Sequence, residues 1–281
     1  MLKAKRILHF SLVLAVLLTG CVEQIGEPMS SPEKEPIQTA PYFEPSPSTQ
    51  PFPPANPTPS VQLEPTLQQV KGSYFDNTLF VGDSIMENVR RYTVTQRQEG
   101  ETLGTAQFLT CSTGIALADV IGEWERGVQF SYQGKEQPLE KIVAEIAPQR
   151  VFLLLGMNDI AGAEGPISVI IDRYIRLISN LQAVNPDMEI IIITSTPKVA
   201  SQWLPEYLPN RNFGNELIGE YAAELVKMCQ EMEIPCVDLY TALKDENGAL
   251  PDAYCLDGYV HLNDVGSAAV VDTLNAFAEG R

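Results

Sequence analysis

Between residues 71 and 281, short unbroken apolar runs alternate with amphipathic stretches of helical length. The predicted strands are 78–81, 107–110, 151–155, 189–193 and 235–239, and the spacing predicts helices over 85–91, 139–146, 166–184, 216–232 and 265–277. A strand with one face in water alternates apolar and polar residues. These runs do not, and the four consecutive isoleucines at 190–193 are the clearest case. Continuous strands separated by helices predict an α/β domain whose parallel sheet is covered on both faces. Only Val128, Phe130 and Tyr132 alternate, which predicts an added hairpin.

Parallel sheets of this kind bind ligands beyond the carboxyl ends of their strands. The segments that follow the apolar runs are Gly82-Asp83-Ser84, Ser112-Thr113-Gly114, Gly156-Met157-Asn158-Asp159 and Ser195-Thr196-Pro197. With the stretch before the last helix, they are expected along one edge of the domain. Any chemistry is expected there.

The first 70 residues have another character. Lys3, Lys5 and Arg6 precede an apolar run over 7–18, and Leu18-Thr19-Gly20 then leads into Cys21. A basic start, a short apolar centre and a small-residue end are the parts of a secretory signal. The apolar run falls short of the ~20 residues that span a bilayer. Its ending resembles the lipobox of bacterial lipoproteins, which implies cleavage after residue 20 and lipidation of Cys21. Residues 22–66 hold twelve of the 21 prolines and almost no aliphatic runs, so they read as a disordered or polyproline-like tether. The expected organisation is a signal peptide over 1–20, a lipidated tether over 21–70 and a catalytic domain over 71–281. That places the domain outside the cell, anchored to the outer face of the cytoplasmic membrane.

Losing residues 1–20 removes three positive charges and no negative ones, moving the net charge from −17 to −20. So acidic a surface repels nucleic acid, and membrane contact is expected through the lipid alone. Cys111, Cys229, Cys236 and Cys255 form no CxxC pair and match no zinc spacing. Cys229 and Cys236 bracket a helix-to-strand turn where they could meet, but buried free thiols are the expected state. With no P-loop or dinucleotide fingerprint either, no cofactor or metal is expected.

Histidine narrows the chemistry. His9 lies in the signal region, so a histidine base in the mature chain has to be His261, in Asp257-Gly258-Tyr259-Val260-His261-Leu262-Asn263 just before the final helix. Ser84 follows a strand and opens a helix, where unpaired N–H groups and the positive end of the helix dipole favour a developing oxyanion. An Asn158 amide at a strand end can donate to the same oxygen, as can a Gly114 backbone N–H. Taken singly, each has an ordinary reading as a cap, a turn or a surface residue.

In order, Val81-Gly82-Asp83-Ser84, Thr113-Gly114, Gly156-Met157-Asn158-Asp159 and Asp257 to His261 resemble the four blocks of the SGNH hydrolases, the GDSL esterase/lipase family. The resemblance covers about residues 72–281 and implies a three-layer α/β/α sandwich with a mainly parallel, flavodoxin-like sheet. It further implies Ser84 as nucleophile and His261 as base, with Ser84, Gly114 and Asn158 forming the oxyanion hole. One feature departs from the family pattern: the acid normally sits three residues before the histidine, and here Asp257 sits four before. Asp257 remains the expected triad acid if a residue such as Tyr259 bulges out; otherwise a backbone carbonyl orients the ring. Asp83 and Asp159 read as structural turn residues.

The expected activity is ester hydrolysis, with O-acetyl groups on envelope or extracellular carbohydrate as first candidate and a monomer as the acting unit. Two alternatives stand beside it. One is a lysophospholipase or thioesterase whose acyl groove is lined by 203–208. The other is a non-catalytic glycan-binding lipoprotein with a degenerate site.

Overall fold

The computed structural model describes residues 73–112, 114–124, 128–162, 165–201 and 213–281. The signal, the lipidation site and the tether expected over 1–70 lie outside the described residues, as does the 203–208 loop.

Five strands, β1 (Thr78–Gly82), β2 (Gln107–Thr110), β5 (Arg150–Leu154), β6 (Glu189–Ile193) and β7 (Cys236–Val237), form one sheet in the order β2-β1-β5-β6-β7. Every pairing in it is parallel. The expected hairpin is present as the antiparallel pair β3 (Phe130–Tyr132) and β4 (Lys135–Gln137). All of β1 is buried, and so are four of the five residues in both β5 and β6, as unbroken apolar runs require. Strand order reverses between β1 and β5, so the crevice where such sheets bind ligands opens between the segments carrying Ser84 and Asn158.

Helices α1 (Ser84–Gln96) and α8 (Asp264–Glu279) pack on each other; α5 (Ile167–Val184) packs against α3 (Leu139–Ile146) and α6 (Asn215–Glu231). On the sheet, Phe80 stacks between Phe108 and Phe152 of the neighbouring strands, with centroids at 5.1 and 4.7 Å, and Phe277 of α8 meets Phe152 edge-on. Such aromatic pairs each add ~1 kcal/mol beyond their area burial. From α5 and α6, the buried hydroxyls of Tyr174 and Tyr221 both donate to the Leu155 carbonyl, and Tyr174 also accepts from the Leu155 N–H. The chain leaving β5 is thereby pinned just ahead of Asn158.

Several boundaries differ from those expected. Helix α1 runs to Gln96 rather than ending near residue 91, because Val89 and Thr93 continue its buried stripe. The run at 235–239 contributes only two residues to β7, since Asp238 caps the short helix α7 (Leu239–Leu243) by accepting from the Thr241 N–H. Helices α2 (Leu117–Val120) and α4 (Met157–Gly162) are too short to show a helical period. Among the described residues the cysteines are free thiols as expected, Cys111 and Cys229 buried and Cys236 and Cys255 half-buried.

Candidate active site

Asp83, not Ser84, caps α1: its buried carboxylate accepts the Ile85 N–H at 2.9 Å. Ser84 therefore holds the first helical position, where a backbone N–H has no partner within the helix. Gly82 is needed for packing. A Cβ there would lie 2.4 Å from the Met86 Cβ and 2.9 Å from the Leu154 carbonyl oxygen. Gly156 likewise admits a protein group, because its left-handed φ of 103° and the Tyr221 hydroxyl, 2.0 Å from a would-be Cβ, exclude any side chain.

His261 comes to Ser84 from the far end of the chain, its Nε2 3.0 Å from the Ser84 Oγ. Its Nδ1 lies 2.6 Å from Oδ2 of Asp257, so the four-residue spacing does deliver the acid. The extra residue is not absorbed by a bulging Tyr259. That residue is buried, with its ring edge-on to Phe213 and its carbonyl accepting the Val199 N–H. It is Gly258, exposed and at φ 70°, that takes up the slack. The chain then wraps around the carboxylate, whose Oδ1 accepts the N–H groups of Tyr259, Val260 and His261 at 2.9, 3.1 and 3.2 Å. One oxygen of Asp257 holds the loop and the other holds the imidazole.

Around this turn, residues 254–263 form a small hairpin, with Leu256 N–H donating to the His261 carbonyl and Cys255 bridging Leu262. Asn88 fastens the hairpin to α1, its Oδ1 accepting the Leu262 N–H at 3.1 Å. Asn88 lies one turn beyond Ser84 and on the same helix face. Sequence reasoning missed it, although its spacing from Ser84 was the available signal.

Burial opposes ionisation of the Asp257 carboxyl, but the His261 hydrogen bond and the backbone N–H groups outweigh it and hold its pKa below the usual range. Asp83 behaves in the opposite way: burial pushes its carboxyl up to about 6 against the Ile85 N–H. Asp159 is also raised to about 6 by burial, with the Leu117 and Ala118 N–H groups and Arg173 pulling the other way. Asp159 is structural as expected, but it bonds segments distant in sequence rather than its own turn.

Asn158 and Gly114 are neighbours. Gly114 has φ 77°, and a Cβ on it would stand 3.6 Å from the Asn158 Oδ1. The Asn158 amide nitrogen donates to the Ile115 carbonyl at 2.9 Å and leans on the Asp83 Oδ2 at a long 3.4 Å. Ser84, Gly114 and Asn158 thus lie just beyond the carboxyl ends of β1, β2 and β5, with His261 and Asp257 bonded in line to Ser84. Among the described residues, no three His, Cys, Asp or Glu side chains converge as a metal site.

A serine at a helix start, bonded to a histidine that is bonded to an aspartate, is the arrangement of a serine hydrolase. The profile of the GDSL-like Lipase/Acylhydrolase family matches residues 80–269, and the chain belongs to that family. GDSL esterase/lipase At2g38180 of Arabidopsis thaliana is 26% identical to it over 200 residues, covering 68% of this chain and 60% of that protein. GDSL esterase/lipase WDL1 of Oryza sativa subsp. japonica is 23% identical over 197 residues, covering 62% and 74%. The chain therefore spans only 60% of the length of the Arabidopsis relative. Among solved structures, a GDSL-like lipase from Bacteroides thetaiotaomicron shares the fold at TM-score 0.55 and 18% identity, covering 72% of this chain and 87% of that one.

Proposed function

We propose that the protein is an extracytoplasmic serine esterase that removes O-acetyl groups from carbohydrate, tethered to the membrane through a lipid on Cys21. The observation that carries the chemistry is the continuous hydrogen-bonded line from the Ser84 Oγ through His261 to Asp257. In this reading His261 Nε2 takes the Ser84 proton as Oγ attacks the ester carbonyl, and Asp257 stabilises the resulting imidazolium. The Ser84 and Gly114 N–H groups and the Asn158 amide receive the oxyanion. One Asn158 proton stays on Ile115, and the other exchanges its long contact with Asp83 for the developing charge. Collapse expels the alcohol, which takes its proton from His261, and water then hydrolyses the acyl-enzyme by the same route.

The choice of substrate rests on two features. His261 and Asp257 are each 36% exposed, so the leaving-group side is open to a bulky, polar alcohol. The sequence of residues 1–70 argues for export and a tether, which would put the site among envelope polymers. The purified protein is expected to hydrolyse p-nitrophenyl acetate and to release acetate from acetylated envelope polysaccharide, with Ser84→Ala lowering kcat by at least ~10⁴-fold. Turnover surviving that substitution would overturn the assignment. A series of p-nitrophenyl esters decides the acyl group, and rates rising toward long chains would point to lipid substrates instead.

A further inference from the structure

The buried face of α5 carries Ile170, Arg173, Tyr174, Leu177, Ile178 and Leu181, so a guanidinium stands in an apolar stripe. Arg173 is 6% exposed, and Asp159, which it meets at 3.1 Å, is fully buried. Its Nε also donates to Glu123 at 2.7 Å, with the cation over the ring of Trp124 at 5.6 Å. Glu123 is shared with Arg176 at the surface. Buried ion pairs add little net stability, since desolvation offsets their attraction. What they supply is direction.

The direction here is toward the oxyanion side of the site. Asp159 accepts the N–H of Leu117 at 2.7 Å and of Ala118 at 3.3 Å, while Asn158 beside it donates to the Ile115 carbonyl at 2.9 Å. Three hydrogen bonds from two consecutive residues thus grip the segment that begins at Gly114. Arg173 bonds both Asp159 and Glu123, and so ties that segment at two places, through Asp159 at Leu117 and Ala118 and directly at Glu123. We propose that Arg173 is a positioning residue for the oxyanion hole: through Asp159 and Glu123 it sets the distance between Gly114 and Asn158 without touching substrate.

This inference rests on the esterase reading. Its consequence is a selective loss of transition-state binding, because a shift of about 1 Å in a donor costs up to ~10²-fold in rate. The test measures kcat and KM for p-nitrophenyl acetate, per active site titrated with a fluorophosphonate, in wild type, Arg173→Lys and Glu123→Gln. Lysine keeps the charge but cannot bridge two carboxylates with a planar fork. For Arg173→Lys the expected result is kcat lower by ~10- to 100-fold, KM within about twofold, and a boronic acid (a tetrahedral mimic) bound more weakly by a similar factor. Glu123 is partly exposed, so Glu123→Gln should fold normally and lose ~3- to 5-fold in kcat. Equal kcat and boronate affinity per titrated site in all three proteins would overturn the proposal. If Arg173→Lys does not fold, the kcat of Glu123→Gln decides alone. Wild-type protein without Ser84-dependent turnover would instead overturn the esterase reading, so the two failures are distinct.

Discussion

On one side of the Ser84 hydroxyl, the proposed acid and base come from a single five-residue turn, with Asp257 bonding three backbone N–H groups of its own loop and the His261 ring once. On the other side, Asn158 and Asp159 reach across 41 to 43 residues of sequence to hold Ile115, Leu117 and Ala118. The first side is partly exposed; the second is closed over buried Asp159 and Arg173. The difference separates two ways of making a site rigid. A local turn is rigid because few backbone angles lie between its ends and each N–H is spent on one carboxylate. A long-range clamp is rigid only once the core has formed around it.

Three measurements can break or sharpen this comparison. The largest effect is expected at Asp257. Asparagine there keeps an acceptor for the three backbone N–H groups but presents an N–H₂ to His261 Nδ1, imposing the wrong tautomer. Asp257→Asn should therefore lose ~10³- to 10⁴-fold in kcat with a modest fall in Tm, whereas Asp257→Ala, which also removes the loop's acceptor, should lower Tm further. Equal Tm losses in both variants would deny the carboxylate its second task.

The next concerns pH. The carboxyls of Asp83 and Asp159 are raised to about 6 in the folded protein, against 3.8 for an unburied aspartate. Between about pH 4 and pH 6 the folded state therefore holds protons that the unfolded chain has released, so both groups make stability fall as pH rises through that window. Asp83→Asn keeps a good helix cap and should remove its share, up to about 3 kcal/mol, of that decline in urea unfolding. A slope equal to that of wild type between pH 4 and 6 would contradict the burial argument. Asp257, whose carboxyl is lowered, acts in the opposite sense, and its contribution is lost only at more acid pH.

The smallest effect is expected at Asn88. Asn88→Ala leaves the Leu262 N–H without its acceptor and should lower kcat by ~3- to 10-fold, with the Ser84–His261 distance loosened rather than lost. Unchanged kcat would mean that the turn around Asp257 suffices by itself to aim the imidazole.

Much of this was legible in the linear chain. Residues 139–146 and 189–193 became α3 and β6 with the expected bounds, because apolar spacing and burial coincide in them, and 107–110 became β2 although only its Leu109 is buried. Ser84, Gly114, Asn158 and His261 were marked by the ends of those runs, and His261 also by elimination. Arg173 left a signal that was not used: a single cation in an otherwise apolar helical stripe. Gly82 and Gly156 were visible as glycines, but the Leu154 carbonyl and the Tyr221 hydroxyl that help demand them come from distant parts of the chain.

The amino-acid sequence by itself determined the layered α/β class, the sheet edge to inspect and the residues proposed as nucleophile and base, because periodicity and residue type are local properties. The tertiary structure decided whether Asp257 could serve from one residue out of register. It can, because Gly258 adopts a left-handed turn while Tyr259 is buried, and that combination depends on Val199 and Phe213 from other parts of the chain. The clamp of Asp159 and Arg173 was likewise decided in three dimensions, since burial alone gives those charges their direction.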